Sequence, residues 1–538
     1  MLLRFLLLLA YWGLLLWVAM PQGLQTDMQP FPGWTHFTPA ASNHDLIRLM
    51  GDGDPGSYAR GAWDMYKHHS WFGPQGDWFM NCWAPGFFWL QVKLMKWLHL
   101  GAHQPIVVWL IVMTTGLWAA VLADVQRMLR RVSNNVLPGW LCALLPLALL
   151  GSALFRDYFL SGGTILTESI SSACVWLAAL AGMRAAAEKR PGLALMSGVW
   201  LAAGAYLRAQ VELMGTLLTL LAGAWLLLRL LPLAVGSKPR PTAGGFWARL
   251  GDVRWLLLGL LLYHGLTLPY RLYTLQRTGS LAWNQSNYVW TYHWKTQAQL
   301  NGTPAAFYAT GGMTTACDLN PARCEAIQQA QARHKQTHPQ EDPTQALPWT
   351  AYRDAAIQTF LQQPWAWLAY KFGFMPSQWM ADQARQGNAA LAFWENITFA
   401  ACTLLFGLAA VWQAALAFWR ACQGQDDAGA WAPWLYAWGL LTTTAVFFVF
   451  VQIEPRYYFQ LKITAALAVL AMGASALATW RNSGQQKTTV KKALAPSSPA
   501  LPTPPWQPAP FAPPLPYGTT TDVASSPTSD PSAHKTHV

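Results

Sequence analysis

The chain has 538 residues, 53% hydrophobic and only 11% charged, where a soluble domain carries roughly 25% charged residues. That balance, 32 tryptophans and several apolar runs of the ~18–20 residues needed to cross a bilayer exclude an ordinary soluble protein and predict an all-α polytopic membrane protein. The formal net charge of +12 does not imply nucleic acid, because no soluble segment carries a basic stripe interleaved with aromatics; lysine and arginine gathered on one side of a membrane account for it.

The leader MLLRFLLLLAYWGLLLWVAM reads as a retained first span rather than a signal peptide, since its apolar run is long and lacks an A-x-A cleavage site. Ten spans are expected in all, near 2–20, 105–124, 136–155, 165–183, 193–207, 211–231, 255–270, 391–419, 431–452 and 458–480. The basic stretches RMLRR (127–131), RAAAEKR (184–190), 238–254 and Lys487–Lys492 then share one side. The positive-inside rule makes that side cytoplasmic, with both termini on it.

Two large segments are left on the external side, 21–104 and 271–390. Each carries a surface-helix signal, WAPGFFWLQVKLMKWLHLG in the first and WTAYRDAAIQTFLQQPWAWLAYKFGFM in the second. Residues 1–480 form the membrane domain. Residues 481–538 are Pro/Ser/Thr-rich and read as a disordered cytoplasmic tail without a catalytic role.

The seven cysteines form no CxxC or zinc spacing. Cys142, Cys174 and Cys402 lie in apolar runs and are expected to pack as small hydrophobes. Cys317 and Cys324, in CDLNPARC on an external loop, are a candidate disulfide. His68–His69 and the His334/His338 pair lack a carboxylate at metal-ligand spacing.

Chemistry-bearing residues collect on the external side. MGDGDPGSYARGAWDM (50–65) puts Asp52 and Asp54 among glycines; both suit a turn, and at the water–lipid boundary a lone aspartate can also serve as a general base. VQIEPRYYFQLKI (451–463) holds Glu454, Arg456 and Tyr457 at the mouth between the last two spans, where a planar guanidinium suits a phosphate oxyanion. Arg208 and Glu212 in LRAQVEL, Glu168 in SGGTILTESISS, and Arg271 complete the set. For each, an internal salt bridge and a substrate contact are both open readings.

The order of these elements resembles the GT-C superfamily of membrane glycosyltransferases, closest to the branch with protein O-mannosyltransferases and the lipid A aminoarabinose transferase. DPGSYARGA (54–62), with Asp54 four residues before Tyr58, is followed by NCWAPGFFWLQ, TESISSACVWLAAL, GAYLRAQ and EPRYYFQLKITAALAVLA across residues 1–480. The resemblance implies about ten transmembrane helices in a GT-C-like fold, with two large external loops bearing surface helices. It implies Asp54 as catalytic base and Arg456, Arg208 and Tyr457 as ligands of a donor phosphate. Asp52, Tyr58, Glu168, Arg271 and Glu454 are supporting residues. Two departures stand out: Asp54-Pro55 replaces the Asp-Glu of many relatives, and Trp83-Ala84-Pro85 replaces Lys-Pro-Pro or His-Pro-Pro. They put the donor sugar in question, and any metal. No cofactor is implied with certainty, and a divalent metal stays open.

The expected activity is inverting transfer of a sugar from polyprenyl phosphate to a hydroxyl of a lipid, glycan or protein acceptor. The short cytoplasmic loops and compact size suggest a bacterial inner membrane, with the site facing the periplasm and membrane lipids as neighbours. The rival readings are a transporter or flippase of a lipid-linked or anionic substrate, and a non-catalytic membrane scaffold.

Overall fold

The computed structural model describes residues 2–25, 84–97, 106–133, 136–160, 167–230, 253–278, 361–380, 389–422, 432–450 and 456–493, with isolated positions between 58 and 66 and between 281 and 360. No strand occurs among them. The chain divides into two compact units, Met1–Arg481 and Asn482–Val538, and every site discussed below belongs to the first.

Helix α1 spans Leu2–Gln25 and α2 spans Gly86–Trp97. Helix α2 buries Phe87, Phe88, Gln91, Val92 and Leu94 along one side, so the expected surface helix rests this face on protein. Helix α3 (Ile106–Val132) runs well past the predicted end at 124. Neither Pro nor Gly interrupts it there, and Arg130 and Arg131 in its last turn complement the partial negative charge of the helix end.

The crossing predicted at 136–155 is broken into α4 (Gly139–Leu144), a 3-10 turn over Leu145–Gly151 and a π-helical segment over Leu154–Leu160. Pro146 has no N–H to continue an α-helical ladder, and Gly151 ends the 3-10 turn, so a continuous helix does not form.

Helix α5 (Glu168–Glu188) stops at Lys189, which adopts the left-handed conformation at φ 53°. Pro191 then opens α6 (Pro191–Leu207). A single extended residue, Arg208 (φ −153°, ψ 126°), separates α6 from α7 (Ala209–Leu230). Helices α8 (Val253–Thr278), α9 (Pro364–Met380), α10 (Ala389–Cys422), α11 (Ala432–Phe450) and α12 (Arg456–Ala493) follow.

Five described helical stretches are long and apolar enough to cross a membrane: Trp109–Val132, Glu168–Glu188, Ala209–Leu227, Ala390–Leu416 and Tyr458–Arg481. Arg4–Ala19, Gly139–Gly151 and Pro191–Leu207 are shorter apolar helices. Burial ranks them: 78% of the apolar window of α5 is buried against 17% for α10, so α5 is central and α10 peripheral. Helix α10 turns Trp394, Leu404, Leu408 and Trp412 outward, an apolar face compatible with a lipid surround.

Side-chain pairs give the helix directions. Ser197 donates to the Ala178 carbonyl while Gly204 lies against Cys174, so α5 and α6 are antiparallel. Gly198 meets Gly259, and Tyr206 bonds the Leu266 carbonyl, so α6 and α8 are parallel; α7 returns antiparallel to both. Helix α3 runs with α5, since Trp118 bonds Ser169 near one end and Arg131 bonds Glu188 near the other. The bundle therefore has two unlike ends. Arg127, Arg130, Arg131, Arg184 and Arg190 gather at one; the start of α5, the Arg208 turn and the end of α8 meet at the other.

Close contact of α6 and α8 depends on small residues. A Cβ on Gly198 would stand 2.2 Å from the Gly259 carbonyl oxygen, and one on Gly259 would stand 2.8 Å from that of Ala194. Ala194 and Gly198 form the small-xxx-small spacing that lets apolar helices approach backbone to backbone. Cys142 and Cys174 are buried free thiols and Cys402 is half-buried, as expected of small hydrophobes. Cys317 and Cys324 lie outside the described residues.

Gly198→Leu is expected to separate α6 from α8 and cost at least ~1–3 kcal/mol, the usual penalty for overpacking. Gly223→Leu, where a Cβ meets nothing within 4 Å, is the control. Thermal unfolding in one detergent should show a lowered midpoint for the first variant and an unchanged one for the second.

Candidate functional site

The end of the bundle opposite the arginine cluster carries one buried and one partly buried ion pair. Arg208 is free of helical geometry because α6 stops at Leu207; its own N–H still donates to the carbonyls of Gly204 and Ala205, at 2.9 and 3.2 Å. The turn aims the guanidinium into the bundle. There Arg208 Nη1 lies 2.6 Å from Glu168 Oε1 and 3.2 Å from Thr167 Oγ1, and Nε donates to Gln210 Oε1 at 2.5 Å. Arg208 and Glu168 are 6% and 5% exposed, so the pair lies in a low-dielectric setting where each charge needs the other. Trp118 Nε1 donates to Ser169 Oγ at 3.0 Å and fixes the first turn of α5 beside it.

One turn along α7, Glu212 Oε1 lies 2.8 Å from Arg271 Nη2 on α8. Tyr263 closes this second pair by donating to the Glu212 carbonyl at 3.1 Å, with the Arg271 guanidinium over its ring. Gly215 makes room for that ring. Glu168, Arg208 and Arg271 were thus each legible in the sequence, but their pairing, Glu168 with Arg208 and Glu212 with Arg271, was not.

An aromatic cluster adjoins these pairs. Trp89 of α2 contacts Tyr206 of α6 and Tyr270 of α8, with ring centroids 5.4 and 6.4 Å apart, and Tyr273 stacks on Tyr270 at 5.8 Å. Gly86 permits it, since a Cβ there would meet the Tyr206 carbonyl oxygen at 2.6 Å. Tyr58 is buried and packs edge-on against Phe87 at 5.1 Å. Tyr58 itself is thereby tied to α2.

Asp52, Asp54 and Glu454 lie outside the described residues. Arg456 and Tyr457 form the first turn of α12. That helix begins toward the Arg208 end of the bundle, since some 23 residues further along it Thr479 lines the arginine cluster and Arg481 donates to the Val136 carbonyl. The structure thus brings the start of α12, Glu168, Arg208, Glu212, Arg271 and Tyr58 to one end. Among the described residues no group of three or more His, Cys, Asp or Glu is placed to hold a metal ion.

The sequence reading missed Lys462. It is fully buried, six residues after Arg456. Its Nζ donates to the Trp379 carbonyl at 2.9 Å and to Asn396 Oδ1 at 2.7 Å, and lies 4.8 Å from the Trp379 ring centroid. The signal was present: one lysine inside an apolar span is a functional-site candidate by default. Glu395, the residue before Asn396, accepts from Ser152 Oγ and from the Leu154 N–H, docking α10 on the interrupted stretch between α4 and Leu160.

No family model, curated protein or solved structure matches the chain.

Glu168→Gln leaves Arg208 without its counter-charge and should destabilise the bundle by ~3–5 kcal/mol. Adding Arg208→Gln should recover much of that loss. Chemical unfolding of both single variants and the double variant forms a cycle; strictly additive effects would show that the two side chains do not interact.

Proposed function

We propose that the chain is a membrane glycosyltransferase of GT-C type, with about ten spans, that transfers a sugar from polyprenyl phosphate to an acceptor hydroxyl. The observation that carries this reading is the gathering at one bundle end of a buried Arg208 on a helix break, the start of α12 with Arg456, and Tyr58 docked on α2. Asp54 precedes Tyr58 by four residues. A catalyst of lipid-phosphate chemistry needs a base in an aqueous loop and cations at the membrane boundary, and this reading assigns those tasks to Asp54 and to Arg456 with Arg208.

In this scheme the polyprenyl tail lies in the bilayer and the sugar stands at the interface. The acceptor oxygen bonds to the anomeric carbon as the carbon–oxygen bond to phosphate breaks on the opposite face, inverting the centre. Asp54 takes the acceptor proton, and the bonding pair leaves with the phosphate. That phosphate departs as an anion, so it needs charge stabilisation more than a proton. Arg456, with Tyr457, supplies it in a setting drier than water. Arg208 holds its place through Glu168 and adds positive potential. The Trp89–Tyr206–Tyr270 cluster offers apolar faces to the donor. The arginine-rich end is then cytoplasmic by the positive-inside rule, and the chemistry faces the periplasm of a bacterial inner membrane. Sites built from paired broken helices, the hallmark of a transporter, have less support: the Arg208 break sits at a bundle end rather than midway along the helices.

Asp54→Asn should lower transfer by ~10²–10⁴-fold, the usual contribution of a general base, with unchanged thermal stability. Membranes carrying the variant should accumulate one polyprenyl-phosphate sugar that wild type depletes, read by mass spectrometry of lipid extracts. Identical lipid pools in wild-type, variant and empty membranes would overturn the reading. Arg456→Lys should keep the charge but lose the planar fork, so that transfer falls without a change in folding.

A further inference from the structure

The other end of the bundle opens into a cavity of about 1550 Å³. One wall is formed by α1, α3 and α5, the facing wall by α10, α11 and α12, with Met214 of α7 at its inner end. None of Glu168, Arg208, Glu212 or Arg271 lines it, so it is separate from the proposed transfer site and its argument does not rest on that proposal.

The two parts of the cavity differ sharply in chemistry. Its mouth carries six arginines: Arg4, Arg127, Arg130, Arg131, Arg184 and Arg190. Among the described lining residues the carboxylates are Asp124 and Glu188. They are shared: Asp124 pairs with Arg127 and Arg184, and Glu188 with Arg131, Arg184 and Arg190. The described lining residues thus sum to a formal charge of +4. Deeper in, the walls are apolar: Val175 and Leu180 on α5, Phe406 on α10, Leu440 on α11, and Ala468 on α12.

Its dimensions are those of a lipid. Thirteen residues of α5 separate Glu188 at the mouth from Val175 near the floor, or ~20 Å of helix. One leaflet of bilayer hydrocarbon is ~15 Å thick, half of the ~30 Å core, so the trench spans that leaflet and its head-group boundary. The volume exceeds the ~300–1,000 Å³ of ordinary small-molecule pockets. Water gains little there, because apolar walls offer it few partners, and leaving the space empty forfeits dispersion contacts along every wall. Trp412, lining the cavity from lipid-facing α10, is 63% exposed, so the trench borders the bilayer.

We infer that this trench is a binding site for an anionic phospholipid of the arginine-side leaflet. Its phosphate head sits among the mouth arginines, and its acyl chains fill the seam between the α1/α3/α5 wall and the α10/α11/α12 wall. The lipid completes the packing of two helix groups that would otherwise enclose a void.

The test uses the full chain purified in a neutral detergent and stripped of co-purified lipid. Native mass spectrometry would titrate phosphatidylglycerol and phosphatidylcholine vesicle lipids of equal chain length, with glycerol 3-phosphate as the head group alone. The expected result is at least tenfold tighter retention of phosphatidylglycerol, and no retention of glycerol 3-phosphate. Two variants separate head from tail. The triple variant Arg4→Gln/Arg131→Gln/Arg190→Gln removes exposed charges and should abolish the preference while leaving weak binding of both lipids. Ala468→Phe fills the trench and should reduce binding of both. Equal retention of the two lipids by wild type would overturn the proposal, as would glycerol 3-phosphate competing as well as the whole lipid, or a co-purified occupant of another class. Should Ala468→Phe unfold, the triple variant and the head-group competition still decide it.

Discussion

A charge inside an apolar bundle has to bring its counter-charge or a full set of dipoles with it, and that constraint organises this protein. Arg208 is held by Glu168, Arg271 by Glu212, and Lys462 by a carbonyl, an amide oxygen and an aromatic face. Each arrangement bridges different helices: α5 to the α6–α7 turn, α7 to α8, and α12 to α9 and α10. Buried pairs are poor sources of net stability, since desolvation consumes most of the Coulomb attraction and apolar replacements are often as stable. Two ion pairs within the first turn of α7 are therefore not explained by packing. They are better explained by a need for fixed charge at that end of the bundle.

The aromatic cluster at the same end depends on close backbone approach. Gly198 and Gly259 bring α6 against α8, which sets Tyr206 beside Tyr270; Gly86 brings α2 against the end of α6, which adds Trp89. Glycine contributes here by absence, with the contacts formed by carbonyls and rings where a Cβ would stand. The aromatic cluster is thus assembled by three helices whose spacing is set by residues with no side chain.

Much of this was legible in the sequence because bilayer-crossing helices announce themselves by composition. The stretch predicted at 165–183 became α5, and that at 193–207 became α6 almost unchanged, since Pro191 fixes its start. The crossing predicted at 136–155 was legible as apolar but not as continuous or broken: hydropathy averages over Pro146 and Gly151, while the hydrogen-bond ladder does not. The extension of α3 through RMLRR was hidden for the opposite reason, as charge was read as loop although arginine is a good helix former. Glu168, Arg208 and Arg271 were found as misplaced charges. Their partners depend on which helices are neighbours, which a single sequence does not state. Lys462 is hard to single out because its partners, the Trp379 carbonyl and Asn396, are 83 and 66 residues away in sequence. Asp54 carries the sequence argument alone.

The directions of the helices give the two ends their different characters before any side chain is counted. Helices α3, α5 and α12 run the same way, so the carboxyl ends of α3 and α5 and the Thr479–Arg481 stretch of α12 lie at the arginine cluster, and the amino ends of α5 and α12 lie toward the Glu168–Arg208 end. Each carboxyl end carries partial negative charge and each amino end partial positive charge. Arg130 and Arg131 at the end of α3, and Arg184 near the end of α5, neutralise the first set. At the other end the amino termini of α5, α7 and α12 add positive potential to arginines already paired with glutamates. Positive helix ends are suited to a phosphate, and paired arginines keep their orientation whether or not one is present. An anion arriving there would meet a field already in place, with little reorganisation left to do, which is the condition under which charge stabilisation is most effective.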